Sequence, residues 1–228
     1  MALILSLETS TDICSVALHK EGGLLSEVTI REEGGHSRML PQLIEQVMRD
    51  SRKELRDLDA VSVSGGPGSY TGLRIGASTA KGLAFALEIP LISVDTLHAM
   101  AVQAWHSKPT ATVVSMLDAR RMEVFCEIFS PVGEVLEPIR SEILDEHSFS
   151  NWLSQSEVYF VGNANEKAKS VITNPKARFL DILPNASSVG EIAWRKFQDA
   201  HFEDVAYFTP NYLKEFRVLK SKKNPFAV

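Results

Sequence analysis

The sequence predicts an α/β fold made of two related lobes. Strand-like runs followed by helix-like runs occur twice along the 228 residues, first up to residue 106 and again from residue 111. A glycine-rich stretch, 64–76, lies between a strand and a helix of the first round, where the backbone must turn sharply. No internal repeat is visible in the residues themselves, so the two-lobed arrangement rests on the order of the elements.

The first round begins with three strands, predicted over 3–7, 13–19 and 24–30. A helix over 37–50 follows, because its apolar residues recur at helical spacing. Ser37 is the expected N-cap, and Pro41 lies in the first turn, where proline is tolerated. The remaining elements of this round are a strand over 60–64, a helix over 71–87, a strand over 91–94 and a helix over 96–106.

The second round repeats this pattern in a weaker form. Its elements are strands over 111–117, 122–130 and 134–139, a helix over 148–153, strands over 158–161 and 178–180, and a helix over 189–201. The chain therefore divides into an N-terminal lobe, 1–106, and a smaller C-terminal lobe, 107–206. A final segment, 207–228, can pack back on the N-terminal lobe.

The composition is that of an ordinary globular chain, with 44% hydrophobic residues, 23% charged residues and a formal net charge of −5. This mild acidity argues against nucleic-acid binding over the whole surface and allows a local basic patch. Cys14 and Cys126 have no metal-like spacing, which suits reduced thiols in a cytoplasm. We expect a cytoplasmic chain without membrane contact, because no signal peptide or bilayer-length apolar run is present.

Two polar stretches are candidates for an anion or nucleotide site. The 8–12 turn after the first strand is rich in hydroxyl groups, and the 65–69 loop can present backbone N–H groups and a helix N-terminus. The alternative is a tight strand-to-helix connection that binds no ligand. The candidate contacts are Thr9, Ser10, Thr11, Gly66, Gly68 and Ser69.

The glycine loop lacks two familiar catalytic patterns. A Walker A loop requires Lys-Ser/Thr directly after its last glycine, and Gly72 is followed by Leu-Arg. A nucleophile elbow requires glycine two residues on either side of the serine, and Ser69 has neither. A P-loop NTPase and a serine hydrolase are therefore excluded at this loop.

Several motifs together resemble the TsaB (YeaZ) family. They follow that family's order, and the glycine loop with the Asp-Ala-Arg-Arg stretch is the most specific part. The sequence departs from the family at Glu8, where aspartate is common, and after Phe216. The matching stretches are 4–11, 14–18, His36-Ser37, Leu40-Pro41, 65–76, 118–121, Glu123-Val124 and 210–214.

The resemblance implies an actin/Hsp70-like fold with two lobes and mixed sheets flanked by helices. It also implies a non-catalytic, cofactor-free role in forming N6-threonylcarbamoyladenosine at position 37 of tRNAs that read ANN codons. The implied partners are a TsaD-type catalytic subunit, a TsaE-type ATPase, a second copy of the chain, and tRNA through the complex. A weakly bound nucleotide at the subunit junction is a further implied possibility.

The residues themselves argue against a metal site of the TsaD type. TsaD relatives bind their metal through His-x-x-x-His after a strand, and the equivalent positions here are Thr96 and Met100. A neutral hydroxyl and a thioether are poor ligands for such a metal. His98 lies between them and is interpreted as a core or helix-surface residue. This also counts against a metallopeptidase.

Three other sets of polar residues have more than one possible role. His36 is a candidate general base or a locally hydrogen-bonded residue at a helix start. Asp118 with Arg120 and Arg121 can bind an anion or form an ion pair within a strand turn. Glu8 and Asp12 could hold Mg²⁺, and this is the basis of the alternative function, a small-molecule kinase or ATPase of actin-like fold.

The two long helices of the first lobe are the predicted partner surface. Gly72, Gly76, Ala80 and Ala84 form a strip of small residues that allows close helix approach. The alternative is that this strip packs inside the lobe. As a test, Gly76→Leu or Ala80→Arg should abolish partner binding in a folded lobe. The predicted interface residues are Leu40, Leu43, Ile44, Val47, Leu73, Gly76, Ala80 and Leu83.

The C-terminal tail is a second candidate for a functional surface. Between residues 214 and 223 it carries five basic residues and one acidic residue. Such a segment can contact the tRNA backbone, or it can be a solvated chain end.

Overall fold

The structure is a computed structural model that describes residues 2–32 and 34–213. The predicted basic tail, from residue 214 onward, lies outside the described residues. The strands are β1 (Leu3–Glu8), β2 (Ile13–Lys20), β3 (Gly23–Arg31), β4 (Ala60–Ser64), β5 (Leu91–Val94), β6 (Thr112–Asp118), β7 (Glu123–Phe129), β8 (Val135–Ile143), β9 (Val158–Val161) and β10 (Ala177–Phe179). The α-helices are α1 (His36–Asp50), α2 (Tyr70–Leu87), α3 (Thr96–Ser107), α4 (Ser150–Gln155), α5 (Asn165–Lys169) and α6 (Ala186–Gln198).

Two five-stranded sheets repeat the same topology. The first has the order β3-β2-β1-β4-β5, and the second has the order β8-β7-β6-β9-β10. In both sheets the first three strands are antiparallel neighbours and the last two join in parallel. The duplication suggested by the order of predicted elements is therefore present in the sheets.

Strand β1 is buried along its whole length because helices cover both faces of the first sheet. Leu5 and Leu7 contribute to a core cluster with residues of α1 and α2 on one face. Ile4 points to the other face, where it joins a cluster with Val189 and Ile192 of α6. The alternation of side chains along a strand therefore supplies both halves of the core.

At the junction of the two lobes, helices α3 and α6 each pack on the sheet of the other lobe. Helix α3 follows the first sheet in the chain, yet Leu97 and Met100 pack with residues of the second sheet. Helix α6 comes late in the chain and packs on the first sheet, where a Cβ on Gly190 would lie 2.1 Å from Nδ1 of His19. The packing boundary between the lobes thus does not coincide with one chain position.

Some predicted element ends are wrong. Helix α1 begins at His36 after Gly35, so Ser37 lies inside the first turn and is not the N-cap. Helix α6 begins three residues earlier than predicted, because the Asn185 side chain accepts a hydrogen bond from the Ser188 N–H and caps it. Strand β8 runs to Ile143, beyond the predicted end at residue 139. Helix α5 and a 3₁₀ turn (Leu55–Asp57) have no counterpart in the prediction.

The last described residues run along the first lobe. Glu203 forms a bridge with Leu91 at the edge of β5, and Phe208 is buried in the cluster beneath α1 and α2. The Asn211 N–H donates to the Gly65 carbonyl oxygen at 2.7 Å. None of the helices within the described residues has the length and apolarity needed to cross a membrane.

Candidate functional site at the carboxyl ends of the first sheet

The two predicted anion-binding stretches meet at one edge of the first sheet. Because β1 and β4 are parallel neighbours, the 8–12 turn and the 65–69 loop leave the sheet side by side. The Ser69 N–H donates to the Ser10 carbonyl oxygen at 2.6 Å, and the Thr9 hydroxyl donates to the Gly72 carbonyl oxygen at 2.8 Å. The turn and the loop are therefore joined directly.

Glycine makes this close approach possible. A Cβ on Gly68 would lie 2.4 Å from the Ser10 carbonyl oxygen, and one on Gly72 would lie 2.0 Å from the Thr9 carbonyl oxygen. Both distances are far inside van der Waals contact with backbone atoms. The glycines are therefore needed so that the two segments can pack against each other. This agrees with the alternative given from the sequence, a tight strand-to-helix connection that binds no ligand.

Two backbone N–H groups at the 8–12 turn are already hydrogen-bonded to side chains of the same segment. The N–H of Ser10 donates to the Glu8 carboxylate, and the N–H of Ile13 donates to the Thr11 hydroxyl. The Ser69 hydroxyl accepts from the Gly72 N–H and caps α2. A phosphate bound here would have to displace these contacts. Of the six candidates, Thr9, Ser10, Thr11 and Gly66 are buried, Gly68 is half-buried and Ser69 is exposed.

Glu8 lies beneath this contact with no exposed surface. Burial raises the pKa of its carboxyl group, which favours the protonated form. Asp12 instead forms an ion pair with Arg31 at 2.6 Å on the exposed side of the hairpin. Over residues 2–32 and 34–213 no group of three or more His, Cys, Asp or Glu side chains is placed to hold a metal ion.

His36 and His98, the two histidines considered from the sequence, have local structural partners. His98 stacks on Phe129 with ring centroids 5.2 Å apart, and burial lowers the pKa of the imidazole. Nε2 of the buried His36 lies 3.1 Å from the Ile13 carbonyl oxygen, so this nitrogen carries the proton and donates it. Thr96 and Met100 are fully buried in α3.

Asp118 does not form an ion pair with Arg120 or Arg121. Its Oδ1 lies 3.0 Å from Nζ of Lys167 and accepts the backbone N–H of Arg120 at 2.6 Å. The ion-pair interpretation of this motif is therefore wrong, and both guanidinium groups stay on the surface.

The eight predicted interface residues belong to the core of the N-terminal lobe. Seven are buried in the isolated chain, and Leu83 is half-buried against the same cluster. A Cβ on Gly76 would lie 2.3 Å from the Thr9 hydroxyl, so the strip of small residues faces the sheet. Gly76→Leu would therefore disrupt the lobe instead of testing an interface, and a partner can reach α1 and α2 only through their outer faces.

The lobe junction holds a pair of acidic groups that are not among the residues predicted from the sequence. Asp95 caps α3 by accepting from the His98 N–H at 2.8 Å, and Glu127 is almost fully buried on β7. Burial raises the pKa of Asp95 to about 6. Burial, and then the charge of Asp95, raise the pKa of Glu127 to about 7. The signal in the sequence is a glutamate inside the otherwise apolar run of β7.

We expect Glu127→Gln to gain stability relative to the parent chain as the pH rises. An unfolded glutamate has a pKa of about 4.3, so the folded state binds this proton more tightly. In the parent, the protonated Glu127 carboxyl group therefore makes its full contribution to the free energy of unfolding below about pH 4. That contribution is lost as the pH approaches 7. Urea unfolding at pH 5 and pH 8 measures this, with the exposed Glu134→Gln as control; an unchanged difference between variant and parent would contradict it.

Comparisons with known proteins agree with this architecture. The family model described as "TsaD: tRNA N6-adenosine threonylcarbamoyltransferase" matches residues 8–223. The tRNA threonylcarbamoyladenosine biosynthesis protein TsaB of Haemophilus influenzae is 34% identical, over 92% of this chain and 93% of its own. A Pseudomonas aeruginosa protein described as similar to peptidase YeaZ superimposes with a TM-score of 0.84 at 25% identity, over 94% of this chain and all of that one.

A more distant structure shares the fold alone. The activator of 2-hydroxyisocaproyl-CoA dehydratase from Clostridium difficile, solved with bound ADPNP, has a TM-score of 0.52 at 10% identity, over 87% of this chain and 96% of that one. The repeated sheets and these likenesses define a two-lobed protein of the actin/Hsp70-like class. Within that class, the chain belongs to the TsaB family, whose relatives are named for threonylcarbamoyladenosine biosynthesis in tRNA. The predicted fold class and family are confirmed.

Proposed function

We propose that this chain is a non-catalytic, cytoplasmic subunit required for threonylcarbamoyl transfer to adenosine 37 of tRNAs that read ANN codons. It binds and activates a TsaD-type catalytic subunit, acts together with a TsaE-type ATPase, and meets tRNA through that complex. In the absence of the catalytic subunit, it pairs with a second copy of itself through the same helices.

The observation that carries this proposal is the closed contact between the 8–12 turn and the 65–69 loop. Each segment has the residues of a predicted anion-binding stretch, yet here the two segments are hydrogen-bonded to each other and within themselves. The buried Glu8 carboxyl is held away from solvent. By the resemblance to TsaD relatives, Thr96 and Met100 stand at the positions of the metal-binding histidines. A chain of this fold in which these two segments are closed onto each other is best explained as a binding partner.

The outer face of α2 supplies a surface for that partner. Phe85 is 80% exposed, a large value for an aromatic side chain on a helix. Ser78, Gly82 and Ala86 are exposed and recur at four-residue spacing, and a Cβ on Gly82 would meet no atom within 4 Å. A second helix can therefore approach this face closely and cover the phenylalanine.

The experiment is the molar mass of the chain in solution, alone and mixed with the TsaD-type subunit of its own organism, measured by light scattering on a sizing column. We expect a one-to-one complex that replaces any homodimer, and threonylcarbamoyl transfer by the catalytic subunit that requires this chain. Separate elution, together with ATP turnover by the chain alone that is lost in Glu8→Gln, would favour an actin-like kinase or ATPase instead.

A further inference from the structure

The turn between β6 and β7 carries two arginines in an unusual backbone conformation. Arg120 and Arg121 have φ angles of 74° and 51°, in the left-handed region. Glycine and asparagine adopt this region easily, whereas other residues adopt it at a cost in stability. Two consecutive arginines at such positions are costly for stability, which suggests that their side chains serve another purpose.

The turn is braced by its neighbours. The Asp118 carboxylate accepts the Arg120 N–H, and the Asp118 N–H donates to Oδ1 of Asn163 at 2.8 Å. Lys167 of α5 donates to the Asp118 carboxylate and to the Arg121 carbonyl oxygen, both at 3.0 Å, with its side chain only 15% exposed. These contacts fix the backbone of the turn from beneath and leave the arginine side chains out of the bracing.

Both guanidinium groups are free to bind a ligand. Each side chain is exposed, and neither has a hydrogen bond or ion pair with another residue of the described chain. By contrast, Arg31, Arg140 and Arg178 each pair with a carboxylate. The Asp118 carboxylate is already paired with Lys167, so the nearest acidic group does not neutralise the two arginines, on a chain whose formal net charge is −5.

A run of basic residues follows the last described residue of the chain. Ala119 and Leu213 pack against the same apolar cluster at the base of the second sheet. Leu213 is the last described residue, and the sequence from 214 to 223 holds five basic residues and one acidic residue. In the sequence, this basic run comes directly after a residue that packs against the same cluster as Ala119.

We propose that the Arg120-Arg121 turn, preorganised by Asp118 and Lys167, is a phosphate-binding site for the RNA backbone. The guanidinium fork matches two phosphate oxygens, and two forks on adjacent residues suit neighbouring phosphates. The choice of RNA over a free nucleotide rests on the proposed function, whereas phosphate as the ligand follows from the charge and geometry of the turn.

The test replaces both arginines by residues that fit the backbone, Arg120→Asn with Arg121→Gly. This double variant should be at least as stable as the parent, because it relieves the left-handed conformation. The matched control is Arg52→Ala, since Arg52 is also exposed and has a φ of 54°. Binding of the full chain alone to a fluorescent tRNA transcript is measured by anisotropy between about 50 and 200 mM salt. A second arm titrates ATP by calorimetry.

We expect the double variant to bind the transcript about tenfold more weakly at the lowest salt, with the slope of log K against log[salt] reduced by roughly 1–2. The control should retain the parent's slope. A loss confined to the ATP arm would still assign phosphate binding to the turn, with a nucleotide as its source. Parent-like binding of both ligands by the double variant, or no binding of either by the parent, overturns the proposal. The outcome is independent of complex formation with the catalytic subunit, which the light-scattering experiment measures separately.

Discussion

A chain carrying Gly72→Ala should be destabilised by about 3 kcal/mol or more, a large effect for a single added methyl group. The new Cβ would lie 2.0 Å from the Thr9 carbonyl oxygen, which belongs to the backbone and cannot rotate away. Helix α2 must then shift from β1 and open the contact between the 8–12 turn and the 65–69 loop. Urea denaturation measures the change as a lower midpoint.

The control for this prediction is Gly82, which lies about three turns further along the same helix. A Cβ on Gly82 would meet no atom within 4 Å, so Gly82→Ala should stabilise the chain by about 1 kcal/mol through helix propensity alone. The opposite signs separate steric packing from a general effect of alanine. An unchanged midpoint for Gly72→Ala would show that the two segments are not packed against each other.

The second large effect is expected at Phe85, on the outer face of α2. Phe85→Asp should weaken association with the TsaD-type subunit more than tenfold, about 2 kcal/mol, because a central aromatic contact is replaced by a charge that must be desolvated. The fold should be unaffected, since the side chain is 80% exposed in the isolated chain. Affinity is measured by calorimetry, and the folded state by the urea midpoint.

A matched control separates a lost contact on the outer face of α2 from a general effect of added negative charge. Val132 lies in the turn between β7 and β8 of the second sheet and is also 80% exposed. Val132→Asp therefore changes an equally accessible apolar residue that does not belong to α2. We expect parent-like affinity for that variant. Equal affinity of Phe85→Asp and the parent would remove the outer face of α2 from the interface, whereas equal losses in both variants would indicate a nonspecific effect of charge.

The larger elements are predictable from the sequence because their patterns are long and regular. Helix α1 was recognised from its apolar spacing, and the strands of both sheets from short apolar runs between turn residues. Helix α5 was missed because five residues, Asn165–Lys169, are too few to show a helical period. Strand β8 was predicted too short because its second half contains charged residues, and Arg140 pairs with Glu137 and Glu142 of the same strand.

The partner surface shows why a helical pattern alone is insufficient. Helix α2 carries small residues on two faces, with Gly76 and Ala80 on one and Ser78 and Gly82 on the other. Both sets have helical spacing, so periodicity cannot say which one packs on the sheet. The structure places the first set against β1 and β4, and leaves the second set exposed beside Phe85.

Local information in the chain was sufficient for the strands, the glycine loop, the two-lobed α/β class and the family resemblance, because each depends on residues close together in sequence. The closed contact over Glu8, the Asp95 and Glu127 pair, the exchange of α3 and α6, and the freedom of Arg120 and Arg121 depend on residues tens of positions apart. Burial, hydrogen-bond partners and pKa values arise only when distant segments pack together. For that reason, which polar residues are occupied and which are available to a ligand became clear only from the folded chain.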